Sequence, residues 1–414
     1  MIGKKVSITL QSDKTIQGIA TFENDDTIFL KLASGYNIGK AYDQIKDQEI
    51  IADVEPQSDT PRITQDDDLP SVHIVHTGGT IASKIDYSTG AVTNAYEPEE
   101  LLQLVPEAQE MASLSANLLM NVSSENLRFE DINTIAKHVH DKIVEDSIEG
   151  IVITVGTDML HYVSAALSFM LGIPPIPVIV VGSQRSSDRP SSDGPDNLLC
   201  ALSCITKTNW NGIGVCMHGP LKENVCLLHR GTRVRKNHTS RRDAFQSIND
   251  SVAGIIDRFN YEPLTEMKAQ KPDLRCDLLD PEINIGWLKV RPNMSVPKGS
   301  YDALLIEGTG LGHMPTGEHT KNSAFYNYVK EFAKEKPVVM TSQTINGRLN
   351  MNVYSNGRKI RDLGVYGHGL DIIPETAYMK IAWLLSHHRD SFELYEANIV
   401  GEISPSSKVN TYEL

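Results

Sequence analysis

The length and charge of the chain exclude several classes of protein. With 414 residues it is too long for one ordinary hydrophobic core, so two or three domains are expected. The 39 basic and 53 acidic residues give a formal charge of −14, which excludes a global basic field that would attract nucleic acid. The five cysteines lack CxxC spacing, and no apolar run reaches the ~20 residues that span a bilayer. We therefore expect a cytoplasmic protein with reduced thiols and no membrane contact.

Residues 1–54 have a different pattern from the rest of the chain. Apolar residues alternate with polar ones at positions 6, 8 and 10 and again at 28, 30 and 32, with turn signals between the two runs. Short strands at this spacing predict a small β-barrel domain that resembles Sm-like or SH3-like barrels. A barrel of this kind is more typical of a docking module than of an active site.

Residues 55–70 are predicted to be a linker. They contain three prolines and the acidic run Asp66-Asp67-Asp68, with almost no apolar side chains that could be buried in a core. Two arrangements fit this composition: an exposed, extended linker, or an ordered strap that packs across the surface.

From Ser71 onward, strands and helices alternate. After the opening strand, strands are predicted at 150–155, 177–182, 212–218, 301–306 and 337–341, and helices at about 97–106, 130–145, 159–171, 195–206 and 323–333, with a closing helix around 378–385. Such βαβ units predict an α/β fold whose parallel sheet is covered on both faces. We place the first α/β domain at residues 71–291 and a smaller C-terminal α/β domain at residues 292–414.

Hydroxyl and carboxylate side chains follow two of these strands. The first strand runs into segment 77–80 (TGGT), where two glycines let the backbone turn sharply and let another group approach closely. Thr80 is thereby placed at a strand end, which is where open α/β sheets bind ligands. The strand 150–155 leads into Thr157 and Asp158. Two hydroxyls and a carboxylate at strand ends predict nucleophilic catalysis.

Two further segments contribute to the same chemistry: SQR with SSDGPDN (183–185 and 191–197), and RKNHTS (235–240). An alcohol is a poor nucleophile until a base removes its proton, and a carboxylate–lysine pair beside a threonine supplies such a base. The N–H groups of glycine-rich strand ends stabilise a tetrahedral oxyanion. Together these residues predict hydrolysis of the amide of a small amino acid through an acyl-enzyme.

The same segments resemble the signatures of the L-asparaginase/glutaminase family. TGGTIA, GTDML, VGSQR with SSDGPDN, and the lysine of RKNHTS occur in the order found in that family, and segments 307–310 and 342–348 are similar to its second domain. The resemblance covers the chain from Ser71 to the C-terminus. It implies two α/β domains, asparaginase-like, with the active site at the C-terminal edge of the first sheet.

The resemblance also implies roles for individual residues. Thr80 would be the first nucleophile, and Thr157, Asp158 and Lys236 would form a second triad. The residues expected to bind substrate are Ser124 (with its neighbour Ser123 as the alternative), Gly79, Gly156 and Ser183. No metal ligand is implied.

One segment departs from the family's pattern. The family's flexible lid carries a tyrosine soon after the nucleophile, where this chain has TGAVT at 89–93 and Tyr87 lies nearby but out of step. An incomplete lid predicts an enzyme that stays poorly active until a partner closes it.

The altered lid and the N-terminal extension resemble one branch of the family, the asparaginase-like D subunits of archaeal glutamyl-tRNA(Gln) amidotransferases. That resemblance implies that the chain frees ammonia from asparagine or glutamine and holds no cofactor of its own. A partner E subunit would use ATP and Mg to convert Glu-tRNA(Gln) to Gln-tRNA(Gln), with tRNA(Gln) bound through the complex. The expected assembly is a homodimer within a heterotetramer.

Two alternatives remain open at this point. The chain could be a stand-alone cytoplasmic L-asparaginase whose N-terminal domain serves oligomerisation. The basic run at residues 229–242 could face tRNA or a partner, or it could be an active-site loop with solvated charges.

Overall fold

The protein is described by a computed structural model that covers residues 1–33, 37–53, 66–79, 83–86, 91–94, 105–145, 147–186, 191–219, 224–258, 260–264, 270–317 and 320–407. Its strands are β1 (Lys4–Leu10), β2 (Thr15–Glu23), β3 (Thr27–Lys31), β4 (Asn37–Ala41), β5 (Ile45–Asp53), β6 (Ser71–His76), β7 (Ser83–Asp86), β8 (Ala91–Asn94), β9 (Ser113–Leu118), β10 (Gly150–Thr154), β11 (Gly172–Ile173), β12 (Pro177–Val181), β13 (Gly212–His218), β14 (Val225–Arg230), β15 (Val234–Lys236), β16 (Phe245–Ser247), β17 (Gly254–Asp257), β18 (Tyr261–Pro263), β19 (Asp273–Leu274), β20 (Ile285–Lys289), β21 (Ala303–Gly308) and β22 (Val338–Ser342). Its α-helices are α1 (Phe129–Glu145), α2 (Leu160–Leu171), α3 (Gly194–Lys207), α4 (Ser323–Phe332), α5 (Ser355–Arg361) and α6 (Pro374–His387). Short 3₁₀ turns occupy Tyr42–Gln44, Pro106–Glu110, Ser124–Asn126, Thr320–Asn322 and Arg389–Glu396.

The N-terminal region is a five-stranded antiparallel sheet with the order β4-β3-β2-β1-β5. Its alternating apolar side chains form a small core of their own, which consists of Val6, Ile8, Ala20, Ile28 and Leu30. Within the described residues no pairing joins β4 to β5, so the predicted Sm-like or SH3-like barrel stays a prediction.

The central element is an eight-stranded sheet with the order β18-β17-β14-β13-β12-β10-β6-β9. The predicted parallel arrangement is confirmed for β9, β6, β10, β12 and β13. The strands β14, β17 and β18, for which the sequence made no prediction, pair antiparallel, so the sheet is mixed and not parallel throughout as expected. The connection from β13 to β14 is too short for the crossover that a parallel strand requires, and an antiparallel return is the geometry that it allows.

Helices cover both faces of this sheet because successive side chains of a strand point in opposite directions. In β10, Ile151 and Ile153 join the core cluster that contains α1 and α2, whereas Val152 joins the cluster that contains α3. The three helices lie within two residues of their predicted bounds.

The C-terminal α/β unit contains the parallel sheet β20-β21-β22 with α4 and α5. Helix α6 packs against α2 of the first unit, where Trp383 stacks on Phe169 with ring centroids 5.9 Å apart. The closing helix predicted around 378–385 is therefore present, and it joins the two units through a shared apolar core. Among the helices of the described residues, none has both the length and the apolar character needed to cross a membrane.

Two predicted segments lie mostly outside the described residues. The helix expected at 97–106 is one of them, and Pro106 itself begins a 3₁₀ turn. Of the linker, only its end is described: the Ser113 hydroxyl accepts a hydrogen bond from the Asp66 N–H at 3.2 Å, and the Ser113 N–H donates to the Pro70 carbonyl at 2.9 Å. The end of this segment therefore lies along β9.

Candidate active site

The end of β6 is held against the end of β10. The Thr77 hydroxyl donates a hydrogen bond of 2.7 Å to the carbonyl of Thr154, the last residue of β10. The backbone then turns through Gly78 and Gly79, whose φ angles of 105° and 90° lie in the region that favours glycine. This is the sharp turn that the TGGT segment predicts, whereas Thr80 lies outside the described residues.

Three predicted binding residues lie in mutual contact beyond these strand ends. A Cβ placed on Gly79 would lie 2.6 Å from the Gly156 nitrogen, and a Cβ on Gly156 would lie 2.7 Å from the Ser124 hydroxyl oxygen. Ser124 is buried, whereas Ser123 is exposed. The contact with Gly156 therefore distinguishes Ser124 from its neighbour, although both were candidates from the sequence.

Lys236 reaches this place from β15, 78 residues after Asp158 in the chain. Its Nζ lies 2.9 Å from the Thr157 hydroxyl oxygen and 2.8 Å from Asp158 Oδ1. The Lys236 side chain is 11% exposed and that of Asp158 is 64% exposed. The amine is thus largely enclosed while the carboxylate faces open space, an arrangement in which the carboxylate orients the amine and the amine contacts the hydroxyl that it would deprotonate.

Ser183 and its neighbours are fixed by one buried carboxylate. Asp193 accepts hydrogen bonds from the Ser183 hydroxyl (3.0 Å), from the Gln184 and Arg185 N–H groups (3.1 and 3.0 Å) and from the Asn197 side-chain amide (3.0 Å). The Ser183 hydroxyl therefore contributes to holding this loop. Asp193 and Asn197 were not predicted in this role, although both lie in the SSDGPDN segment.

Gln184 is a further residue at the site that sequence reasoning missed. The pairing of β10 with β12 explains its position. Thr154 pairs with Val181, and Thr157 lies three residues after the first as Gln184 lies three residues after the second. Thr157 Oγ1 donates to Gln184 Oε1 over 3.4 Å, a long hydrogen bond. Gln184 belongs to the VGSQR motif, but nothing in that motif distinguishes its side chain.

Two buried histidines lie beside the same strand ends, and both are neutral near pH 7. Burial lowers the pKa of His76 to about 4, and its Nδ1 lies 2.5 Å from the Thr154 hydroxyl oxygen. Burial, assisted by the positive charges of Arg235 and Lys236, lowers the pKa of His161 to about 3. Neither ring adds a positive charge next to Lys236.

The basic run 229–242 is largely neutralised by acidic side chains. The ion pairs are Arg230–Asp250 (3.0 Å), Arg233–Asp371 (3.3 Å), Arg235–Glu375 (2.8 Å), Lys236–Asp158 (2.8 Å) and Arg241–Asp243 (2.6 Å). These ion pairs count against a basic surface open to tRNA. They also correct the expectation of solvated charges, since Arg233 is buried and the Lys236 side chain is 11% exposed. Among the described residues, no group of three or more His, Cys, Asp or Glu side chains is arranged to hold a metal ion.

Comparison with known proteins shows the family of this chain. The family model "Asparaginase, N-terminal" matches residues 71–267, and the model "Glutaminase/Asparaginase C-terminal domain" matches residues 293–397. The D subunit of the glutamyl-tRNA(Gln) amidotransferase of Archaeoglobus fulgidus is 40% identical over 98% of this chain and 96% of its own length. The corresponding D subunit from Pyrococcus abyssi is 42% identical over 94% of this chain and 90% of its own length. The chain belongs to the family of glutamyl-tRNA(Gln) amidotransferase D subunits, within the asparaginases.

A solved asparaginase also superposes on most of this chain. The thermostable L-asparaginase from Thermococcus kodakarensis superposes with a TM-score of 0.70 and 32% identity, covering 81% of this chain and 100% of its own length. The D-subunit relatives, in contrast, align with nearly the whole chain. Part of this chain thus has no counterpart in that asparaginase. Most of that part has a counterpart in the D subunits.

Proposed function

We propose that this chain is the amidase subunit of a tRNA-dependent amidotransferase, and that it releases ammonia from asparagine or glutamine for the conversion of Glu-tRNA(Gln) to Gln-tRNA(Gln). The observation that carries the proposal is the contact of Lys236 Nζ with both Thr157 and Asp158, at 2.9 and 2.8 Å. Three side chains from two distant segments meet where the glycine turns of two neighbouring strands also meet.

The proposed chemistry proceeds in two steps. The Thr80 hydroxyl attacks the side-chain amide carbon of the substrate, the C–N bond breaks, and protonated nitrogen leaves as ammonia. Water then cleaves the resulting ester to give aspartate or glutamate. The second triad carries the protons: Thr157 accepts the proton of the attacking Thr80 hydroxyl or water while Lys236 accepts that of Thr157. A proton returns by the same route to the leaving nitrogen, and in the second step to the Thr80 oxygen. Asp158 orients the amine. Backbone N–H groups of the glycine turns stabilise the negative oxygen in both tetrahedral states.

Substrate binding is assigned to the same strand ends. We place the α-carboxylate at Ser124 and the α-ammonium at Asp158, since the hydroxyl donates to an anion and the exposed carboxylate attracts a cation. Gly79 and Gly156 form the wall between them, and their close approach leaves no room for a side chain. Ser183 supports this wall through Asp193.

The partners follow from the name of the relatives, which are subunits of an amidotransferase. We propose that an E subunit binds ATP and Mg and uses the ammonia on Glu-tRNA(Gln), and that this chain forms a homodimer within a heterotetramer. The alternative, a stand-alone L-asparaginase, is less well supported because the solved asparaginase covers 81% of this chain whereas the D subunit of Archaeoglobus fulgidus covers 98%.

Substitution of the contacting residues tests the chemistry. Lys236→Ala, Asp158→Asn and Thr80→Ala are each expected to lower the turnover of ammonia release by several orders of magnitude, and the double variant Lys236→Ala/Asp158→Asn is expected to lose little more than Lys236→Ala alone. Residues that act as one unit behave in this non-additive way. The measurement is kcat for ammonia release from asparagine and glutamine. If the two single losses simply multiply in the double variant, Lys236 and Asp158 do not form one unit.

A further inference from the structure

Lys236 lies on a hairpin that is separate from the large sheet. β15 pairs with β16 as a two-stranded sheet, with Lys236 opposite Phe245. Val234 is buried in the apolar core, and Lys236, two residues on, points to the same side of the strand. The hairpin is therefore held by side-chain contacts to its surroundings, one of which joins Ser247 of β16 to His229 of β14 in the large sheet.

The C-terminal domain supplies further contacts to this hairpin. Arg235, the residue before Lys236, donates from Nε to Glu375 Oε1 at 2.8 Å. Glu375 lies in the first turn of α6 and its side chain is 7% exposed, while that of Arg235 is 28% exposed. A charge-assisted hydrogen bond with so little exposure is screened only weakly by solvent.

A second arginine, two residues earlier, is bound to the same part of the C-terminal domain. The buried Arg233 donates to the Asp371 carboxylate (3.3 Å) and to the Asp371 carbonyl (3.2 Å). It also donates to Gly401 O (3.1 Å) and to the Ser404 hydroxyl (2.9 Å) near the end of the chain. One guanidinium thus joins the approach to the hairpin to two separate C-terminal segments.

Both ends of the hairpin are bound in the same way. The Thr376 hydroxyl donates to the Thr232 carbonyl at 2.9 Å. Beyond β16, the Asn249 side chain donates to Asp371 O at 2.9 Å and accepts from the Gly347 N–H at 2.7 Å. We call these contacts of residues 232–235 and 249 with residues 347, 371–376 and 401–404 the interdomain junction.

We propose that the C-terminal domain positions Lys236 through the interdomain junction, with Arg235 and Glu375 as positioning residues for the amide-hydrolysing triad. This inference rests on the proposed function and deepens it. Neither arginine touches the reacting atoms, so each acts through the hairpin. Loss of these contacts therefore lets the amine move away from Thr157.

The test compares two arginine–carboxylate pairs of similar exposure. Arg235→Leu breaks the pair with Glu375. The control, Arg230→Leu, breaks the pair with Asp250, which is 3.0 Å long, has side-chain exposures of 30% and 13%, and lies entirely within the domain matched at residues 71–267. The measurements are kcat and KM for ammonia release by the full chain assembled with its partner subunit, and urea unfolding of each variant. Arg235→Lys and Glu375→Gln are milder variants that keep the shape of the junction.

We expect Arg235→Leu to lower kcat by about 10²-fold, the loss typical of a misplacement near 1 Å, with KM changed far less. Arg235→Lys should recover most of that loss, and Arg230→Leu should keep kcat at the level of the unmodified chain. In a Lys236→Ala background, Arg235→Leu should have no further effect, because it acts only through the lysine.

Two results would overturn the inference by itself. One is an Arg235→Leu variant that folds and keeps the unmodified kcat. The other is an equal loss of kcat in Arg235→Leu and Arg230→Leu, which would show a general loss of stability. If the unmodified chain releases no ammonia in the complex, the proposed function fails, and this inference fails with it.

Discussion

At the scale of the residue, the candidate site combines charged groups with imidazoles that are kept neutral. His76, His161 and His229 are buried, and burial lowers their pKa values to about 4, 3 and 4. In an unfolded chain a histidine has a pKa near 6.5. Between about pH 6.5 and 4 the unfolded chain therefore binds protons that the folded chain does not, so the free energy of unfolding falls as the pH falls through this range.

His229 allows this effect to be measured away from Lys236. Its Nδ1 lies 2.8 Å from the Ser247 hydroxyl oxygen, a contact that a glutamine can retain. The free energy of unfolding of the unmodified chain is expected to fall between pH 7 and pH 5. In His229→Gln this fall should be smaller by roughly 1–2 kcal/mol. The measurement is urea unfolding at both pH values, with the exposed His238→Gln as the control. An unchanged pH dependence in His229→Gln would show that folding does not lower the pKa of this ring.

A residue of the candidate site could be predicted from the sequence only where its residue type indicates a role. The contact of Thr157, Asp158 and Lys236 could be predicted because their motifs resemble those of the asparaginase family, whereas their catalytic role stays a prediction. Gln184 and Asp193 could not, since their roles arise from the register of β10 and β12 and from the loop that closes above them. The ion pairs of the basic run with the C-terminal domain also could not be predicted, because their acidic partners lie far away in the sequence.

At the scale of the element, the site depends on two strand-end turns that approach within van der Waals contact. A Cβ on Gly79 would lie 2.6 and 2.7 Å from the backbone N and Cα of Gly156. Backbone atoms cannot rotate out of the way, so a side chain at this position has to separate the ends of β6 and β10.

Gly79→Ala is therefore expected to reduce kcat/KM for ammonia release strongly and to destabilise the fold. The control is Gly364→Ala, at a φ of +81° with no neighbour within 4 Å, which carries the same backbone strain without the clash. Gly364→Ala should cost about 1–2 kcal/mol in urea unfolding and leave activity intact. Equal effects of the two variants on activity would mean that the close approach of the turns is unimportant.

Strands and helices could be predicted where the apolar residues have a strong periodicity. They could not be predicted where contacts between distant segments determine the structure. The buried strands β10, β12 and β13 and the helices α1 to α3 follow from apolar runs and helical spacing. The strands β14, β17 and β18 do not, because β17 and β18 have four and three residues and because strand direction is set by connection length and tertiary pairing.

At the scale of the whole molecule, the N-terminal sheet is separable in its packing from the α/β units. Its core of Val6, Ile8, Ala20, Ile28 and Leu30 shares no residue with the other core clusters of the described chain. The chain's match to the D-subunit relatives extends over 94–98% of its length, so a counterpart of most of this region is present in them.

Deletion of residues 1–54 is expected to leave the α/β units folded and the basal release of ammonia unchanged, and to abolish stimulation by the partner E subunit and charged tRNA. The measurements are the thermal unfolding of the truncated chain and its ammonia release with and without those partners. Full stimulation of the truncated chain would show that the N-terminal sheet is not needed for stimulation by the partners.

The fold class of the molecule could be predicted from the alternation of strands and helices together with the family motifs. The mixed direction of the large sheet and the dependence of Lys236 on the C-terminal domain could not, since both come from contacts between segments more than 100 residues apart or from the length of one connection.

We propose that ammonia released at the Thr157–Asp158–Lys236 site ends in Gln-tRNA(Gln). The most direct measurement supplies asparagine or glutamine labelled with ¹⁵N in the side-chain amide to the chain assembled with its E subunit, ATP, Mg and Glu-tRNA(Gln). We predict that the label appears in the side-chain amide of Gln-tRNA(Gln), that ammonia release rises when Glu-tRNA(Gln) is added, and that Lys236→Ala prevents both. Ammonia release that is indifferent to Glu-tRNA(Gln), with no label in Gln-tRNA(Gln), would contradict the claim.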